Sequence, residues 1–517
     1  MKRFRLLLSV ALVVICSIGR ANNINISNVT SVPGAGFIQL QFDLSWDNSW
    51  RNNINYDAAW VFFKFKDNDG TWRHLSLTGL NNVANAGYTI NVASDLTGAM
   101  IYRTNPGAGN VGLTGMLVGV SNLPGSFDIK AFAIEMVNIV VSDQFYLGDG
   151  EAGTYYTNAT VLTPYLVNSN SITFGNVAGN CYDGIQNGVL ATGFPIGYNS
   201  LGAFYYFFMM KHEVSQGAYR DFLNTLTYTQ QLSRTTLTPN NVAGTQALGA
   251  RSYRSSIQIM TPGIASNTPA VYGCNLNNNG VWDEATDGEW IACGFLTYMD
   301  LAAFLDWAAL RPMSELEYEK SCRGPVFPVL GENAAGTTAL AAYSYSIINQ
   351  GAANESVSSY SGSVLNANIT YNTTSIGGNS PNRVGMHATP YANRISAGAG
   401  YYGCLDLSGN IEEYAVTTSN AAGRSFTGLN GDGNLNSNGD ANVDYWPGIN
   451  GNNNITAVNG VYLGATGITS NAGIILRGGS AVQTGANLMK DSYRIASTNP
   501  PTYSRTQVSG GRGVKLL

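Results

Sequence analysis

The sequence predicts an α+β, β-rich protein with an antiparallel β-sandwich at its N-terminus, residues 22–170, followed by a mixed and irregular region, residues 171–517. Three observations predict it. Short segments of period-two apolar–polar alternation, separated by turn residues, recur from residue 22 to about 170. Helical spacing next to capping residues is confined to the stretch between residues 215 and 324. Gly is high at 60 residues, and Asn, Ser and Thr are plentiful, so the chain turns often. A length of 517 residues exceeds one ordinary core and suggests at least two. Aromatic residues make up 11%, with 29 Tyr, so the composition supplies packed interiors and is not that of a disordered chain.

The start reads as a signal peptide, residues 1–21. Lys2, Arg3 and Arg5 form a basic segment, and Leu6 to Ile18 is an apolar stretch too short to span a bilayer. Gly19-Arg20-Ala21 offers small residues for cleavage before Asn22. Cys16 raises lipidation as the alternative, although Ile15 stands where a small residue is expected. No later apolar stretch is long enough for a transmembrane helix. The mature chain is therefore expected to be exported, in solution or held at a surface by partners. Of the six cysteines, Cys16 leaves with the leader, and Cys181, Cys274, Cys293, Cys322 and Cys404 remain. Export permits disulfides, and the odd number leaves at least one thiol unpaired within the chain. Cys274 and Cys293, which flank a turn-rich loop, are the first pair to test. Buried free cysteines acting as small hydrophobes are the alternative. No CxxC occurs, which argues against zinc.

In the first region, Phe37-Ile-Gln-Leu-Gln-Phe-Asp-Leu-Ser-Trp46, Ala59-Trp-Val-Phe-Phe-Lys-Phe65 and Ile129-Lys-Ala-Phe-Ala-Ile-Glu-Met-Val137 read as strands. Asp67-Asn-Asp-Gly70 and Leu123-Pro-Gly125 read as turns. Short strands at this spacing predict the sandwich. Asn168-Ser-Asn-Ser171 marks the expected boundary.

In the second region, Ser215 caps a predicted helix in which Tyr219, Phe222, Leu223 and Leu226 share a face. Thr297 with Asp300 resembles a capping box ahead of Leu301, Phe304, Leu305 and Ala308. Ser314-Glu-Leu-Glu317 is a full capping box. Beyond residue 325 no helix is predicted, and residues 349–380 and 428–460 read as long surface excursions.

Several short stretches recur in a particular order: Phe208-Met-Met-Lys-His-Glu-Val-Ser-Gln-Gly-Ala-Tyr-Arg-Asp-Phe-Leu223; Leu310-Arg-Pro-Met-Ser-Glu-Leu-Glu-Tyr-Glu-Lys-Ser-Cys-Arg-Gly324; Gly403-Cys-Leu-Asp-Leu-Ser-Gly-Asn-Ile-Glu-Glu413; and Leu476-Arg-Gly-Gly-Ser480 with Tyr493-Arg494 and Gly511-Arg-Gly-Val514. Together they resemble the formylglycine-generating-enzyme, or sulfatase-modifying-factor, family across residues 171–517. The resemblance implies a C-type-lectin-like architecture for that region and does not cover the N-terminal one. The charges at Arg311, Glu317, Glu319 and Arg323 suit internal ion pairs, which hold irregular folds together without indicating catalysis.

Catalysis in that family uses two cysteines that hold copper and activate oxygen to oxidise a substrate cysteine. Such chemistry needs soft thiolates. The resemblance maps the first to Gln483 and the second to Leu488, or to Lys490 with a short insertion. No cysteine follows Cys404, so no copper is expected and no catalytic residue is assigned. His74, His212 and His387 lie apart, which argues against the histidine cluster of the iron-dependent relatives. No nucleophile elbow, phosphate loop or His-Glu-x-x-His occurs.

Calcium in a structural role suits the remaining oxygen donors. The resemblance implies a site at Gly409 and Ile411, through their carbonyls, with the Glu413 carboxylate. Separately, Asn275, Asn277, Asn279 and Asp283 space their oxygens like a calcium loop with Gly280 at the turn. The early ligands are neutral, and a simple loop of Asx turns is the alternative. Asp432 to Asp440 reads the same way. In C-type-lectin-like folds the C-terminal segment displays ligands' contacts, which here gives Tyr503 and Arg505, while Tyr493 and Arg494 read as core-facing.

Charged residues make up only 11% and the net charge is −5, with no basic run beyond the extreme N-terminus, so nucleic acid is excluded as a partner. These readings predict a non-catalytic structural or adhesive protein of the bacterial cell surface or extracellular matrix, expected to self-assemble as a homo-oligomer or surface array. A module binding a glycan or an envelope protein is the alternative, and an oxidase modifying a protein cysteine is a third reading.

Overall fold

The computed structural model describes residues 23–517 except 35–36, 122–127, 141–143, 152–155, 160, 168–171, 184–205, 342–345, 359–364, 373–379, 390–391, 444, 449–466 and 495–503. The expected leader, the Leu123–Gly125 turn and the expected boundary at Asn168–Ser171 lie outside the described residues. With 33% strand against 11% helix and antiparallel sheets, the chain is β-rich as expected.

Eight strands form first: β1 (Asn25–Pro33), β2 (Ile38–Arg51), β3 (Asp57–Lys66), β4 (Trp72–Leu75), β5 (Tyr88–Val92), β6 (Ala99–Arg103), β7 (Gly107–Val120) and β8 (Ile129–Ile139). Alternation in β2 does what period two predicts. Leu40, Phe42, Leu44 and Trp46 are buried on one face, and the polar residues between them turn away. β2 pairs with β1 and β7 in a three-stranded antiparallel sheet. The predicted turn after β3 closes with the Gly70 N–H donating to the Asp67 carbonyl at 2.9 Å.

β3 differs, because its run Asp57–Phe63 is buried throughout. Ala59, Val61 and Phe63 pack on the β2 face, whereas Ala58, Trp60 and Phe62 enter a second core. A continuous apolar run is the signature of a strand covered on both sides. The cover on the second side comes from the C-terminal region: Phe222, Phe304 and Trp307 pack there.

The larger sheet has eight strands. Its order is Arg311–Pro312, Gly513–Lys515, Phe207–Met210, β8, β3, β6, β5, with β4 also on β3. Phe207–Met210 pairs antiparallel with Met136–Ile139 of β8 and also carries the strand Gly513–Lys515. Strands from both sides of the expected boundary therefore share one sheet.

Four helices of seven or more residues are described: α1 (Gln216–Leu223), α2 (Tyr228–Arg234), α3 (Tyr298–Trp307) and α4 (Glu315–Arg323). The three predicted caps form, at Ser215, Thr297 and Ser314, the last two as reciprocal capping boxes. α1 ends at Leu223, before Leu226, because Thr227 starts a new helix with its own capping box to Gln230. The Thr-x-x-Gln pattern of a capping box marks that start in the sequence. α3 is buried all round, with Leu301 to Leu305 at 0% exposure, as expected of a helix in the middle of a core.

The end of α3 is clasped from the shared sheet. Lys64 Nζ donates to the Trp307 carbonyl (2.6 Å), Trp60 Nε1 to that of Ala308 (2.9 Å) and Lys515 Nζ to that of Ala309 (2.9 Å). The last carbonyls of a helix lack partners and carry its negative end, which favours cations there. Lys64 also meets His74 Nδ1 at 3.0 Å, and His74 Nε2 faces the Thr97 carbonyl, so the ring is neutral with its proton on Nε2.

Burial pulls the Lys64 pKa down to about 7, against the pull of Asp306 and Asp432. Between that value and its ordinary 10.5, unfolding takes up a proton, so stability rises with pH across the window and is lost as pH falls toward 7. Lys64→Met is expected to remove up to about 1.4 kcal/mol per pH unit of that slope, read by denaturant unfolding of both proteins at pH 7.5 and 9.5. Equal slopes in the two proteins would refute it.

Candidate functional site

The closing motifs meet α4 in the interior as an alternating row of charges. Arg494 is bidentate on Glu315 (2.6 and 2.7 Å), and Arg477 joins Glu315 (2.9 Å) to Glu319 (2.8 Å). Arg323 then joins Glu319 (2.9 Å) to Glu332 (3.0 Å) and Asp491 (2.7 Å). The side chains are 0–4% exposed. Positions 315 and 319 share a helix face, which is why one helix can serve all three arginines. Burial acts to raise Glu315, but Arg494 and Arg477 outweigh it and hold the carboxyl at about 2. Asp491 goes the other way, to about 7, because burial dominates and Glu332, Glu319 and Asp149 add negative charge around it. Arg311 is likewise bidentate on Glu317 (2.9 and 2.6 Å). The expected internal pairs among residues 311, 317, 319 and 323 are in place, and Arg494 is core-facing.

Gln483, where the resemblance puts the first cysteine, is locked by its neighbours. Its Nε2 donates to Glu412 Oε1 (2.6 Å), and its Oε1 accepts from the Ser480 N–H (2.9 Å). Leu488 packs beside a small cluster containing Met489 and Ile369, and Lys490 pairs with Glu151 at 2.6 Å. Among the described residues, Cys181, Cys274, Cys293, Cys322 and Cys404 are buried and free. Cys274 and Cys293 occupy the same core without bonding, so the pair marked for testing is not a disulfide here. Burial pushes the thiols of Cys181, Cys293 and Cys322 well up, and those of Cys274 and Cys404 up to about 12. None is a thiolate near neutral pH.

The positions proposed for calcium fall in two places. Glu413 is fully buried and bidentate on Arg512 (both 2.7 Å). Gly409 and Asn410 take positive φ, and the Ile411 N–H donates to Glu213 Oε1 at 3.1 Å. Burial, with Asp406 and Glu413 nearby, pushes the Glu213 carboxyl well up.

In the second place, the Asn277 and Asn279 side-chain oxygens accept the N–H groups two residues on (2.9 and 2.8 Å), the geometry of Asx turns. Asp283 Oδ1 accepts from the Cys274 N–H (2.8 Å) and from Arg220 (2.6 Å). Asn275 is buried, its Nδ2 on Gln258 and its Oδ1 without a partner among the described residues. The 432–440 stretch bonds similarly: Asp432 accepts from the Asn434 N–H (2.7 Å) and Asp440 pairs with Arg234 (2.7 Å). Among the described residues, no group of three or more His, Cys, Asp and Glu side chains is arranged to hold a metal ion.

Of the two expected ligand contacts, Tyr503 lies outside the described residues. Arg505 holds Asp300 with both Nε and Nη2 (2.9 Å each) and reaches the Ser233 and Thr235 carbonyls. Its guanidinium is thus committed inward, although the side chain lines a surface hollow of about 640 Å³ with Phe295 and Leu248.

A different concavity left little signal in the sequence. An open cleft of about 640 Å³ separates the end of β2 from residues 388–389 and 392–405. Trp50, Asn52 and Asn55 line one wall, and Arg394, Tyr401 and Tyr402 the other. Asn55 Nδ2 bridges the walls to the Tyr402 carbonyl at 2.5 Å. Gly403 lies against the Trp50 indole so closely that a Cβ there would come within 3.0 Å of the ring. Nearly 350 residues of chain separate the two walls, which meet through tertiary contacts such as the Asn55–Tyr402 hydrogen bond. The Tyr401-Tyr402 pair beside Gly403 was the one local hint. No protein-family model matches the chain, and no curated protein matches it either.

Proposed function

We propose that this chain is an exported, non-catalytic structural or adhesive protein of the bacterial surface or extracellular matrix, on a scaffold of the formylglycine-generating-enzyme, C-type-lectin-like kind. One observation carries the reading. The place that the resemblance reserves for a copper-binding thiolate holds Gln483, tied to Glu412 and Ser480, and every described thiol is buried elsewhere. Amide groups do not supply the soft donors that Cu(I) takes. Among the described residues no helix is long and apolar enough to cross a membrane.

Self-association belongs to this proposal, and the sheet edges bear on its form. The outer edge of β1 is broken by a bulge at Asn28, which takes a φ of 54°, and it ends at Pro33. Bulges and prolines discourage pairing between edges. Association through faces or polar loops therefore has more support than strand addition.

One preparation with two readouts tests the proposal. Incubation with a Cys-x-Pro-x-Arg peptide, copper and oxygen is expected to give no aldehyde, and light scattering is expected to show particles larger than one chain. Peptide turnover would remove the non-catalytic reading, and a strict monomer at high concentration would remove self-association. The cleft at Trp50 and Arg394 favours a second reading, a ligand-binding module.

A further inference from the structure

We infer that the cleft between the end of β2 and residues 388–389 and 392–405 binds an acidic saccharide, a sugar chain carrying carboxylates, with Arg394 as the carboxylate contact. In a chain of net charge −5, two cations and no carboxylate line this cleft among the described residues. Lys211 is already spent, at 2.9 Å from Glu135 and 3.7 Å from Asp57. Arg394 has no ion-pair partner among the described residues. Its Nη2 donates to the Cys322 and Ala334 carbonyls (2.8 and 3.0 Å) and its Nε to that of Ala399 (3.4 Å), and Nη1 has no hydrogen bond among the described residues. Glu332 and Asp491 act on the half-buried guanidinium from a distance, but both are ion-paired to Arg323 (3.0 and 2.7 Å), so a ligand carboxylate would be its first direct ion-pair partner among the described residues, with matching geometry.

The rest of the lining suits a sugar. Trp50 and Tyr401 are half-buried aromatic walls. The Trp50 indole N–H, the Tyr401 hydroxyl and the Asn52 Nδ2 make no hydrogen bond among the described residues. Asn52 Oδ1, by contrast, is taken by the Ile54 and Asn55 N–H groups (2.7 and 2.9 Å). Rings beside directional polar groups, in a volume within the usual range for ligand sites, are what a hydroxylated ring needs. One unpaired cation is too few for a nucleic-acid backbone. The aliphatic part of the lining is Ala388, Ala392, Ala397, Ala399 and Leu405, mostly short side chains that offer no deep pocket to a peptide side chain.

This site deepens the adhesive reading and rests on it for its biological sense, but the two fail separately. Calorimetric titration of the full mature chain with trigalacturonate tests the site, beside the fully methyl-esterified trimer, which keeps the rings without the charge, and tricarballylate, which keeps the charge without the rings. The acid trimer is expected to bind at least about tenfold more tightly than either control. Arg394→Gln is expected to erase the difference between acid and ester. Asn52→Asp, at an exposed position whose acceptor role an aspartate keeps, is expected to weaken the acid trimer about tenfold and spare the ester. That variant decides the matter should Arg394→Gln fold poorly. No binding of the acid trimer at millimolar concentration, equal binding of either control, or indifference to Asn52→Asp would overturn the assignment. None of these outcomes bears on peptide oxidation, and aldehyde formation would leave the binding result standing.

Discussion

Glu315→Gln is expected to lower stability by about 3–5 kcal/mol, the usual result of removing one partner from a buried ion pair. The carboxylate takes Arg477 at 2.9 Å and Arg494 at 2.6 and 2.7 Å, and all three side chains are 0% exposed. An amide offers one acceptor and no charge, so Arg477 would keep only Glu319 and Arg494 would stay in the core without an ion-pair partner among the described residues. The loss is larger than the intrinsic worth of the pairs, because most of it is the cost of stranded charge. An exposed arginine gives the contrast. Arg73, 47% exposed beside Asp67 and Asp69, is expected to cost under about 1 kcal/mol when replaced by Ala. Urea unfolding of the three proteins measures both. A Glu315→Gln variant within 1 kcal/mol of the parent would show that the arginines find other acceptors. The carboxyl sits at about 2 in the fold against an ordinary 4.5. Its contribution is therefore complete above the ordinary value and lost as pH falls toward 2, and the variant is expected to unfold with a shallower acid limb.

Trp60→Ala is expected to cost about 3–5 kcal/mol as well, from lost burial and the cavity left behind. Its more telling consequence is shape. Trp60 is at 0% exposure on the face of β3 that packs against the helices, its N–H caps Ala308, and Lys515 lies 4.6 Å from its ring centroid. The gap would loosen the N-terminal sheet and the C-terminal core together. Calorimetry is expected to show one transition, moved down as a whole, because cooperative units follow contiguous cores. Two resolved transitions, with only the earlier one displaced, would show that residues 22–170 unfold by themselves.

Local rules were readable from the sequence wherever their cause was local. The Ser314–Glu317 and Thr297–Asp300 caps, the alternation of β2 and the turn at Asp67–Gly70 all depend on residues within a few positions. The buried charges of α4 were readable as a set, because Arg and Glu at helical spacing beside an apolar core need partners. Their outer partners were not, since Arg477, Arg494 and Asp491 lie more than 150 residues downstream. The shared sheet was hidden for the same reason. The uninterrupted apolar run of β3 announced a strand covered on both faces, but not that residues 222, 304 and 307 supply the cover. Arg505 misled because a lone arginine in a polar segment has the same sequence signature whether it faces a ligand or, as here, Asp300. The cleft at Trp50 and Arg394 left almost no trace, being made by two walls that are strangers in the sequence.

The larger sheet also sets an order of events. β8 is translated well ahead of Phe207–Met210, and that strand waits in turn for Gly513–Lys515 to flank it. A nascent chain holding only the first region would present an unpaired strand edge and the bare face of Trp60 and Phe62, without the groups that cover them. Closing contacts so distant along the chain is slow. Refolding of the whole chain from denaturant is therefore expected to be slow and open to association through that bare edge until the last strand is in place.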